Sequence, residues 1–161
     1  MHKDNVTVNS TPIIALREIG HLKILRDLYG TVIIPNAVFE EVTAKDPYAL
    51  DGYPWILIKN VDNTAAKEVF STSLHDGEVE VLLLAKEIGS MLVIMDDGLA
   101  RRHAKYFGLK ITGTVGLLLQ AKQKGLIVEI KPIIDKLIAN DFYISDNVVN
   151  EILHMAGELH R

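Results

Sequence analysis

The sequence predicts an α/β protein: three layers, α/β/α, around a mostly parallel five-stranded sheet, with extra helices at the C-terminus. Three observations carry this expectation. Five short runs rich in β-branched and aliphatic residues alternate with stretches of mostly helical periodicity, the pattern that parallel strands and their crossovers require. Met91–Met95 is continuously apolar, as a central strand covered on both faces must be. With 161 residues, 48% of them hydrophobic and 24% charged, the chain has the length of one domain and enough apolar material for a core.

The elements follow in order. Val6–Val8 is a β-branched run, and Asn9-Ser10-Thr11-Pro12 supplies helix-capping side chains and a proline suited to a first turn. Ile13, Leu16, Ile19, Leu22, Leu25 and Leu28 keep helical spacing, interrupted by Gly20 and ended by Tyr29-Gly30, so two short helices are expected. Thr31–Ile34 reads as the second strand, and Pro35-Asn36 opens a helix to about Ala44. Two prolines and a glycine within 45–54 predict a loop, and a mobile one. Trp55–Ile58 is the third strand and 62–71 a helix. Glu78–Ile88, apolar around most of its circumference, is a buried helix stopped by Gly89. After the fourth strand, Met91–Met95, come Asp96-Asp97-Gly98, a basic helix over 99–107, a fifth strand at Lys110–Thr112 and a helix from Gly113. Helices over 129–139 and 146–157 form a C-terminal helical extension, about 129–161, of a single domain spanning 1–161.

Composition excludes several functions. There is no cysteine, hence no disulfide, no thiolate ligand and no cysteine nucleophile, and a reducing cytoplasm is the simplest home. The longest apolar stretches, Val81–Ala85 and Met91–Met95, are five residues long against the roughly 20 needed to span a bilayer, so no membrane role is expected. Seventeen basic and twenty-one acidic residues leave a net charge of −4, so nucleic acid must be held by a local basic patch or through cations. Gly113-Thr114-Val115-Gly116 lacks the lysine of a Walker A loop, and there is no Gly-x-Ser-x-Gly elbow.

In open parallel sheets, ligands collect beyond the carboxyl ends of the strands. There the sequence places Asn9-Ser10-Thr11 after the first strand, Glu40 and Glu41 on the helix after the second, Asp96-Asp97 after the fourth and Thr112-Gly113-Thr114 after the fifth, with Glu78 opening the buried helix. Oxygen donors without cysteine or paired histidines suit Mg²⁺ or Mn²⁺ rather than zinc. Every member also has an ordinary structural role: Asp96, Asp97 and Asn9-Ser10-Thr11 as caps, Glu78 as a dipole-stabilised first-turn residue, Glu41 as a solvated glutamate. Arg101, Arg102, His103 and Lys105 put positive charge just after the aspartates. The functional weight lies in the convergence of the acids.

Val6–Ile14, Ile33–Val42, Gly77–Glu80, Val93–Arg102 and Thr112–Gly116, in that order, resemble a PIN-domain protein, and more narrowly the VapC-related branch of prokaryotic predicted nucleic-acid-binding proteins. Phe142-Tyr143-Ile144-Ser145 and Leu153–Glu158 fit that branch. The resemblance implies a metal-dependent ribonuclease, the toxin of a toxin–antitoxin pair, with Mg²⁺ or Mn²⁺ held by Glu41, Glu78 and Asp96 or Asp97. It implies Asn9 at the place of the family's first aspartate. Ser10, Thr11, Arg101, Arg102, Lys105, Thr112 and Thr114 are the expected RNA contacts, and an antitoxin and a second copy of the chain the expected partners. Asparagine brings no charge and cannot act as a base, which motivates the alternative of a catalytically inactive RNA-binding or protein-interaction module. It also argues against a phosphatase, which would want a nucleophilic aspartate there. Four clustered acids should repel one another and raise at least one carboxylate pKa.

Overall fold

Parallel strands of only two or three residues are stable here because each is flanked by buried neighbours and crossover helices. In the computed structural model, which describes residues 5–62 and 76–159, β1 (Val6–Val8), β2 (Val32–Ile34), β3 (Ile56–Ile58), β4 (Leu92–Ile94) and β5 (Ile111–Thr112) form one sheet in the order β3-β2-β1-β4-β5. Every pairing is parallel: Thr7 lies beside Ile33 and Val93, Ile33 beside Leu57, and Ile94 beside Thr112. All three residues of the central strand β1 are buried, including Thr7, as a strand covered on both faces demands.

Eight helices are present among the described residues: α1 (Ser10–Glu18), α2 (Lys23–Tyr29), α3 (Asn36–Thr43), α4 (Asp76–Ile88), α5 (Gly98–Tyr106), α6 (Thr114–Gln123), α7 (Lys131–Ala139) and α8 (Asp146–Met155). They give the three-layer α/β/α architecture that the sequence predicts. Helix α4 packs on β1 and β4 and against α3 and α5, so it is buried in the way its apolar circumference requires. It begins at Asp76, two positions before the sequence-based estimate. The helix expected over 62–71 falls, beyond Asp62, outside the described residues. No helix among the described residues is long and apolar enough to cross a membrane.

The core runs from Val8, Leu16 and Leu25 through Ile34, Val93 and Met95 to Leu117 and Leu118. The C-terminal helices join the same cluster through Ile134, Leu137 and Leu153. They are pinned by Glu158, 7% exposed, which accepts from Lys122 Nζ at 2.8 Å, Ile130 N at 2.9 Å and Lys131 N at 3.0 Å. Its carboxylate thus closes the otherwise unmatched N–H groups where α7 begins. In the 45–54 loop, successive turns bury Ala49, and Tyr53 meets Trp55 edge to face.

Candidate functional site

Strand order reverses between β1 and β4: the chain steps outward from β1 to β2 and β3, then crosses to β4 and β5 on the other side. The crevice at such a switch point, beyond the carboxyl ends of the strands, is the ligand position of this architecture. Asn9 N donates to Ile94 O at 2.9 Å and Met95 N to Thr112 O at 3.0 Å, so the ends of β1, β4 and β5 lie side by side. Asn9 and Asp96 border the crevice.

On the β1 side, Ser10 Oγ donates to Glu41 Oε2 at 2.8 Å, joining the start of α1 to α3. The other oxygen, Glu41 Oε1, rests against Gly77 so closely that a Cβ there would collide with it. Glu41 is exposed as a residue, yet its carboxylate is held at the start of α4, one position from Glu78, which is 8% exposed. Glu80 takes part in the same docking: its Oε1 accepts from Ala37 N at 3.1 Å, at the N-terminus of α3. Asn9 is 4% exposed, and its Oδ1 accepts no hydrogen bond among the described residues.

On the β4 side, the two adjacent aspartates separate. Asp97 is exposed and serves as the N-cap of α5, its Oδ1 accepting from Ala100 N at 2.8 Å. Asp96 turns to the next strand: Oδ1 accepts from Thr114 N at 2.8 Å and Oδ2 from Thr114 Oγ1 at 2.7 Å. A Cβ on Gly113 would stand 2.6 Å from Asp96 Oδ1, so only glycine permits this approach. Burial pushes the Asp96 carboxyl above the ordinary aspartate range, while the Thr114 bonds and the Arg101 guanidinium oppose it without cancelling it. A raised carboxylate is what the sequence leads one to expect, but its cause is desolvation rather than repulsion among acids.

The acids therefore form two groups: Glu41 with the start of α4, and Asp96 with Thr114 and Arg101. Among the described residues, no three His, Asp or Glu side chains stand together as a metal-holding cluster. In kind and place, the donors nevertheless fit a hard divalent ion: they are all oxygens, they belong to segments at the sheet's carboxyl edge, and one of them, Asn9 Oδ1, is buried and meets no hydrogen-bond donor among the described residues. Arg102 and Lys105 are exposed on α5, Thr11 is exposed on α1, and Thr112 Oγ1 packs so near Gly116 that a Cβ there would stand 2.5 Å from it.

Sequence reasoning placed Gly77, Glu80 and Gly113 within its motifs but gave them no role of their own, and it did not single out the cleft beside Asp96. The glycines carried a signal: each sits at a helix start, with no helix end or tight turn to require it. The cleft, 450 Å³, is lined by Asp96, Arg101 and Thr112 and by Tyr143, Ile144 and Val148. The chain matches the family model of the PIN domain over residues 5–158. No curated protein matches it.

Proposed function

Because the chain belongs to the PIN-domain family, a nuclease-like family, we propose that it is a metal-dependent ribonuclease acting at the crevice between β1 and β4. The observation that carries this reading is Asn9 Oδ1, a buried oxygen that meets no donor among the described residues, on the residue that follows β1 at the switch point. Glu41, Glu78 and Asp96 would hold Mg²⁺ or Mn²⁺, with Asn9 Oδ1 as a neutral fourth donor. When bound, the ion supplies positive charge to the scissile phosphate and acidity to water, the chemistry of in-line hydrolysis that leaves a 5′-phosphate.

The chain's own residues set the rest. Ser10 fixes the Glu41 carboxylate, and Thr114 fixes that of Asp96, so neither acid needs reorientation. Arg101, beside Asp96, balances its charge and reaches toward the flanking phosphate, while Arg102 and Lys105 extend the basic face along α5. Asp97 keeps that helix start in place. The resemblance to VapC-type toxins supports an antitoxin partner and a homodimer, for which the C-terminal helices offer exposed apolar residues such as Ile138 and Met155.

Cleavage of a fluorogenic RNA in Mg²⁺ or Mn²⁺ tests the reading. Wild type should cleave, and Glu78→Gln and Asp96→Asn should lose activity roughly a hundredfold or more; equal residual cleavage in all three overturns it. A second reading, an RNA-binding module without catalysis, is favoured by the uncharged Asn9 and by the separation of the acids into two groups. Calorimetric titration with Mn²⁺ distinguishes them, since the module requires no saturable ion site.

A further inference from the structure

We propose that the cleft beside Asp96 is a base subsite, holding one unpaired nucleobase of an RNA strand against Tyr143 while Arg101 meets the adjoining phosphate; this deepens the ribonuclease reading and rests on it. The cleft's 450 Å³ falls within the roughly 300–1,000 Å³ of small-ligand clefts. Its lining is mixed in chemistry. The carboxylate of Asp96 and the guanidinium of Arg101 supply charge, while Ile111 and Val115, and Tyr143, Ile144 and Val148 from the part of the chain after α7, supply apolar surface. A nucleotide has the same division, a charged phosphodiester joined to a flat base with apolar faces.

Tyr143 is 86% exposed and Val148 42% exposed, so the wall is not sealed by the protein's own core. A tyrosine ring on a cleft rim loses few torsions on binding and offers a stacking face to any base. The segment bearing it is fixed at both ends: Phe142 N donates to Leu137 O at 3.0 Å, and Ser145 Oγ accepts from Val148 N at 3.3 Å where α8 starts. Bases within a duplex have both faces stacked, so only an unpaired base can enter.

The test is equilibrium binding of a fluorescently labelled single-stranded RNA, and of the same strand annealed to its complement, followed by anisotropy in EDTA and in Mn²⁺. Wild type should prefer the single strand by about tenfold or more. Tyr143→Ala should weaken single-strand binding at least about fivefold, Tyr143→Phe should not, and duplex binding should be the same in all three. Matching thermal melts establish that the variants are folded. Single-strand affinity untouched by Tyr143→Ala overturns the proposal, including the case in which a protein partner occupies the cleft. Tyr143-dependent binding without any cleavage upholds the subsite while the ribonuclease reading fails. Cleavage with Tyr143-independent affinity does the reverse, and wild type that binds no RNA in either buffer removes both.

Discussion

Glu158 and Asp96 are both carboxylates withdrawn from water, yet their surroundings drive them in opposite directions. Glu158 meets three donors from three residues, Lys122, Ile130 and Lys131; burial pushes its carboxyl up, but these bonds and the Lys122 charge outweigh it and hold it below the ordinary glutamate range. Asp96 meets, among the described residues, the two donors of Thr114, with Arg101 near, and its carboxyl stays above the aspartate range. An acid that ties a fold together is saturated by protein donors. One kept at a sheet edge with acceptor capacity to spare costs the fold something, and under the proposed reading a cation would recover that cost.

The contrast can be broken by experiment. The largest expected effect is on the proposed activity: Asp96→Asn should lower RNA cleavage roughly a hundredfold or more, while the urea midpoint at neutral pH should be no lower than that of wild type, because the amide relieves a buried charge and still accepts from Thr114 N. Loss of stability together with activity would place Asp96 among the structural acids. Glu158→Ala acts oppositely, costing about 2–3 kcal/mol in urea denaturation because charge-assisted bonds vanish and the N–H groups at α7 are left bare. Gly113→Ala, which drives a methyl into Asp96 Oδ1, costs about 1–3 kcal/mol and lowers Mn²⁺ affinity measured by calorimetry.

Acid titration sharpens the same comparison. The folded-state pKa of Glu158 is lowered, so its contribution is complete above the unfolded value near 4.5 and declines as pH falls through the folded-state value. The midpoint difference between wild type and Glu158→Gln should therefore be constant at neutral pH and shrink below 4.5. The smallest effect belongs to the neighbouring aspartate: Asp97→Ala removes a cap and costs about 1 kcal/mol, whereas Asp97→Ser restores it.

Much of this was legible beforehand, for identifiable reasons. Met91–Met95 has the pattern expected of a covered strand, and Asn9-Ser10-Thr11-Pro12 that of a helix start, so β1, α1 and β4 stood out, with β4 trimmed to Leu92–Ile94. The order of the motifs then identified the family. The different duties of Asp96 and Asp97 were not legible: two identical side chains differ only through the backbone direction at the end of β4, which sends one toward Thr114 and leaves the other to cap α5. Glu41, an ordinary helical glutamate by spacing, is distinguished by Ser10 and Gly77, which are 31 and 36 positions away. Of the cleft wall, Tyr143 and Ile144 precede the helix read at 146–157 and carry no periodic signal of their own.

The oxygens proposed to face the crevice come from positions 9, 41, 78 and 96, each delivered by a different segment. No short fragment can reproduce that meeting, and a fluctuation in any crossover dissolves it. A cation lodged there would act as a fold-wide reporter, departing in one step with global melting instead of leaking away as single turns fray.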